Sequence, residues 1–129
     1  MTTELIFEAP APARREPVPF TLAGYRVSVP EDAPDARWEL TLRAKPVLPG
    51  SILDDVMGSV TIEHDEVTGF NQAAALPILR RIIVKDDLPE FEKLVNDDDR
   101  AVDIGTLWRT AMGLIEHLAG GRPTGGSGA

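Results

Sequence analysis

The chain has 129 residues, a formal charge of −8 and no cysteine. That length supports one domain with one modest core, and the missing cysteine excludes a disulfide framework, a thiolate metal site and a thiol nucleophile. Thirteen acids stand against five bases between Asp54 and Asp103, and so acidic a middle argues against nucleic acid and anionic membrane as partners.

Residues 1–17 read as an arm. Pro10, Pro12 and Pro17 favour extended, unpaired backbone. The segment has no basic start followed by an apolar core, so it is not expected to be a signal peptide. Leu5, Ile6 and Phe7 are its only sticky part. They fit either an edge strand added to a neighbour or a disordered leader.

A β signal follows. Phe20, Leu22, Tyr25, Val27 and Val29 alternate around Ala23-Gly24, which predicts a tight hairpin turning at that glycine and ending at Pro30. Trp38, Leu40 and Leu42 alternate again and predict a third strand from about Arg37 to Arg43. The same residues are good helix formers, so a short helix is the alternative there.

Beyond the stiff link Lys45–Gly50, Ser51 is placed to cap a helix carrying Ile52, Leu53, Val56, Met57 and Val60, with Asp54 and Asp55 suited to its positive end. His64-Asp65-Glu66 is expected to be a polar break. A helix is then predicted from about Val67 or Phe70 to Lys85, kinked or split at Pro77. Pro89 opens another short helix with Phe91, Leu94 and Val95 facing inward, and Asp97-Asp98-Asp99 makes a turn.

The strongest element is Asp103 to Gly121. Ile104, Leu107, Trp108, Ala111, Leu114, Ile115 and Leu118 recur at helical spacing and form one broad apolar stripe. Asp103 is a candidate N-cap, and Gly120-Gly121 followed by Pro123 a stop. The stripe is either core or a docking face. Leu107, Trp108, Ala111, Leu114, Ile115 and Leu118 are the candidate partner-binding residues if it docks. After it, residues 121–129 read as a Gly-rich flexible tail.

The fold class predicted is α+β: a small N-terminal antiparallel hairpin or sheet, then a bundle of four to five short helices. The layout is an arm over 1–17, one domain over 18–120 (β part 18–45, helical part 51–120) and a tail over 121–129.

Recognisable site chemistry is missing from the pattern. His64, Asp65 and Glu66 are consecutive and point apart. His117 stands alone on its helix, and the acids at 97–99 lack the alternation of a calcium loop. There is no phosphate loop and no Ser nucleophile elbow. Neither a catalytic residue nor a cofactor or metal is expected.

The order of parts resembles the tail assembly chaperones of long-tailed phages that infect actinobacteria. The matching pieces are FTLAGYRVSVP, LPGSILDDV, the acid-rich helical middle, LPEFEKLVNDDDRAVDIGTLWRTAMGLIEHL and the closing GGRPTGGSGA. The family has no usual counterpart of RWELTLRA. The resemblance implies a non-enzymatic chaperone in the host cytoplasm that coats the tape-measure protein until tail tube subunits replace it. It implies two lengths, with this chain the shorter and a longer frameshifted form beside it. It is compatible with a homo-oligomer. The alternative of another class is a structural virion component, a head–tail connector or tail-tip protein, using the sticky arm for subunit contacts.

Overall fold

A computed structural model describes residues 4–12 and 14–119. Its first sheet is one antiparallel pair, β1 (Val18–Tyr25) and β2 (Arg37–Ala44), in register from Val18 opposite Ala44 to Tyr25 opposite Arg37. Phe20 faces Leu42, Leu22 faces Leu40 and Gly24 faces Trp38, and cross-strand partners share one side of a sheet. That side is the covered one. The opposite side is polar, with the Thr21 and Thr41 hydroxyls 2.9 Å apart.

The expected turn at Ala23-Gly24 is therefore corrected. β1 runs straight through both residues, and its partner lies beyond the long loop 26–36. Gly24 is needed for closeness, not for a turn: a Cβ there would sit 2.8 Å from Trp38 Cζ2. A glycine inside a strand often marks such an approach. The expectation of a strand at 37–43 holds, over Arg37–Ala44.

Helix α1 spans Ile52–Gly58. Ser51 makes no side-chain cap; its Oγ instead accepts from Arg81 Nη2 at 2.5 Å, and Arg81 also bonds Asp55 at 2.6 Å. Val60 does not extend this helix. It begins β3 (Val60–Glu63), which pairs antiparallel with β4 (Glu66–Phe70). The long helix expected from Val67 or Phe70 to Lys85 is thus corrected at both ends. Residues 66–70 are strand, 72–74 form one 3-10 turn, and α2 covers only Ala75–Ile82. Pro77 falls in the first turn of α2, where proline is tolerated, and no split results.

The end of α2 is strapped to the outer edge of β2. Lys45 N donates to Ile82 O at 2.8 Å and Val84 N to Arg43 O at 3.0 Å. Asp87 adds a clamp, accepting from Arg43 N, Nε and Nη2 at 2.8, 3.0 and 2.9 Å. This covers an edge that would otherwise expose unpaired backbone. Helix α3 follows over Leu88–Val95, with proline in its first turn. Helix α4 spans Ile104–Ala119. Asp103 caps it as expected, accepting from Thr106 N at 3.1 Å. The proposed stop at Gly120-Gly121 and the tail 121–129 lie outside the described residues.

One core joins these parts. Leu22, Trp38 and Leu42 from the sheet meet Ile78, Leu79 and Ile82 of α2, Phe91 and Leu94 of α3, and the inner face of α4. The α+β class stands: a two-stranded N-terminal sheet followed by four α-helices, with a second small hairpin inserted after α1.

Candidate functional site

The stripe on α4 lies inside. Leu107, Trp108, Ala111, Leu114 and Leu118 are buried, and Ile115 is half-buried against the same core. These positions lie against α2 and the 3-10 turn before it, within the shared core of their own chain, so they present little apolar surface to another molecule. The wide stripe follows from geometry: α4 is the longest helix here and needs two neighbours to cover it.

Apolar surface remains elsewhere. The β3–β4 hairpin turns at His64 and Asp65, whose φ angles of 52° and 64° are those of a tight two-residue hairpin turn. Val60 pairs with Phe70 and Ile62 with Val67, and the register shifts between Thr61 and Ile62. One extra residue in β4 therefore bulges. Val67 and Phe70, three apart, then fall on the same side as Val60 and Ile62. Three of these four side chains are open: Ile62 is 58 %, Val67 60 % and Phe70 53 % exposed.

The root of this face is anchored. The Phe70 ring lies 5.5 Å from that of Trp108, tilted by 42°, a favourable aromatic spacing. Asn71 N donates to Ser59 O at 2.5 Å. Ile104, one turn before Trp108, is also exposed. The tip carries Glu63, Asp65 and Glu66. None of these acids forms an ion pair among the described residues.

A groove of about 440 Å3 lies at the other end of α4. Its walls come from Ala9–Pro12 of the arm, the link Pro46–Gly50, the start of α1 and the α4 residues Ile115 and Leu118. Arg14 Nη2 donates to His117 Nε2 at 3.3 Å beside it. Residues 9–12 and Arg14 of the arm thus lie along the body, and none of its described residues joins a sheet as a strand. Leu5, Ile6 and Phe7 remain exposed, Phe7 by 90 %. The groove lining is mostly apolar, with Arg14 as its charged member, and brings no set of catalytic groups together.

The acids elsewhere are held by local partners. Asp87 lies below the usual carboxylate range because of Arg43, Asp99 because of Ser28 and Arg26, and Asp103 because of Thr106. Among the described residues, no three His, Asp or Glu side chains converge as metal ligands, and no helix is long and apolar enough to cross a membrane. Sequence reasoning missed the β3–β4 face. Its signal was present in the Val-Thr-Ile and Val-Thr pairs flanking His64-Asp65, but the turn contains no glycine and the bulge breaks the alternation.

Comparison with protein-family models, with characterised proteins and with solved structures finds no match to this chain.

Proposed function

We propose that this chain is a non-enzymatic phage tail assembly chaperone that keeps the tape-measure protein soluble until tail tube subunits enclose it. The observation that carries the reading is the exposed apolar side of β3–β4 on an otherwise well-packed small domain. A surface of that kind suits reversible cover for an exposed apolar helix, which would otherwise aggregate. Repeated weak contacts along a long partner give avidity and still allow displacement. The order of parts along the sequence, from the first sheet to the last helix, supports the same reading. A longer frameshifted form of this chain would act beside it.

Co-expression tests this directly. A cognate tape-measure protein should remain in the soluble fraction when the two are made together and precipitate alone. Equal insolubility in both cases overturns the reading. A second reading, a structural virion component, draws on the exposed Leu5-Ile6-Phe7 arm. Mass spectrometry of purified particles separates the two: a chaperone is absent from them, and a structural subunit is present in stoichiometric amount.

A further inference from the structure

We infer that the outer edge of β1 pairs antiparallel with the same edge of a second copy of this chain, joining two sheets into one of four strands. The inference goes beyond the chaperone reading and does not depend on it.

The alternation along β1 fixes which backbone groups face outward. Arg26 N donates to Ala36 O at 2.7 Å. Residues in step with Arg26, from Val18 to Gly24, therefore turn their N–H and C=O toward β2, and those between turn away. Arg43, opposite Pro19, agrees in phase: its N–H goes to Asp87 and its C=O to Val84, both outside the strand pair. So the N–H groups of Thr21, Ala23 and Tyr25, and the carbonyls of these residues and Pro19, point off the free side of β1. They have no backbone partner among the described residues. The next outward group, Val27 N, is taken by Asp99 O at 2.9 Å. Pro19, Thr21, Ala23 and Tyr25 are all exposed.

The other strand edges carry the usual safeguards: straps, charges, bulges or short length. The outer edge of β2 is strapped at Arg43 and Lys45 and bears Arg37 and Glu39 further along. Strands β3 and β4 have only four and five residues, a register shift, and glutamates near the tip. Strand β1 has eight residues, a continuous register and no charge. Its one safeguard is Pro19, at the far end.

The occupant follows from how the free groups match one another. Place two β1 strands antiparallel about a two-fold axis at Leu22. Thr21 N–H then meets Ala23 O of the second copy, Ala23 N–H meets Thr21 O, and Tyr25 N–H meets Pro19 O. Each free donor finds an acceptor. Pro19, which has no N–H to give, falls opposite Tyr25 O, which water can serve at an exposed edge. On the polar side Thr21 lies beside Ala23 and Pro19 beside Tyr25, so no like charges are opposed. The acids that give the chain its charge of −8 are concentrated between Asp54 and Asp103, outside this strand. Such a contact uses the same patch twice and closes at two copies.

The test uses the full chain. Sedimentation equilibrium over a concentration series should give a reversible dimer. Thr21→Pro removes an outward N–H, as Pro19 already does, and leaves the ladder to β2 intact. It should raise the dimer dissociation constant about tenfold or more with an unchanged circular dichroism spectrum. A second measurement does not depend on that variant folding. The chain has no cysteine, so Thr21→Cys chains mixed with Ala23→Cys chains should cross-link to each other, under mild oxidation, faster than either does alone.

A wild-type chain that stays monomeric at every concentration overturns the inference. So does a dimer that a folded Thr21→Pro variant leaves undiminished, or cross-linking with no preference for the mixed pair. A dimer lost on changing Ile6→Ser with Phe7→Ser would assign the edge to the arm of the second copy instead, and β1-to-β1 pairing would fall.

Discussion

Asp97 and Asp99 are two residues apart and fasten different things. Asp97 closes its own turn, accepting from Asp99 N at 2.8 Å, Arg100 N at 3.1 Å and Arg100 Nε at 2.7 Å. Asp99 reaches across the fold to the loop after β1, accepting from Ser28 N at 2.8 Å and Arg26 Nη1 at 3.1 Å. Arg100, with the backbone N–H groups of Arg100 and Asp99, holds Asp97 down from 3.8 to about 2. A carboxylate lowered on folding stabilises the native state above its unfolded value and loses that effect as pH falls through the folded one. The melting temperature should therefore drop as pH is lowered from about 4 to about 2. Asp97→Asn should melt lower at neutral pH and show a shallower acid slope; melts followed by circular dichroism at several pH values check this. Identical slopes would remove Asp97 from the account. Asp87, Asp99 and Asp103 are shifted the same way, so the slope is reduced and not abolished.

Among the elements, the β3–β4 hairpin carries a visible backbone cost. His64 and Asp65 both sit at positive φ, a region that disfavours residues with a Cβ and that Asn-Gly occupies readily. Replacing the pair, His64→Asn with Asp65→Gly, should raise stability by about 1 kcal/mol. Chemical denaturation would measure it, and a loss of stability would mean the turn is not of this type. Two expectations fail at this scale, one in this hairpin and one in β1. Val67 to Phe70 reads as the start of a helix because the bulge removes the alternation that marks a strand. Ala23-Gly24 reads as a turn because glycine commonly supplies one, whereas here it makes room for the Trp38 ring.

Over the whole molecule, α4 packs along α2 and contributes the longest run of buried side chains to the shared core. Leu114 is 8 % exposed within this core. A charge placed there has no partner and must be desolvated or drag water inward. Leu114→Asp should accordingly unfold the monomer or cost more than about 3 kcal/mol, and not merely abolish a binding event. A stable, monodisperse Leu114→Asp chain would show that the helix face is free in solution. The contrast with Ile62→Ser and Val67→Ser is the useful one, because those side chains are already in water and their loss should leave folding intact.

The sequence by itself determined the parts with strong local signals. The period of α4, its Asp103 cap, the Pro89 start of α3 and the alternation in Arg37–Ala44 were legible because each is written into neighbouring residues. Only the tertiary structure decided which strand pairs with β1, since that choice spans an eleven-residue loop held by Asp99 from the far side of the chain. It also decided which apolar surface is left over. Periodicity shows that a helix has a greasy face; whether that face is covered depends on what else in the chain lies against it. Here α4 was covered and the hairpin was not.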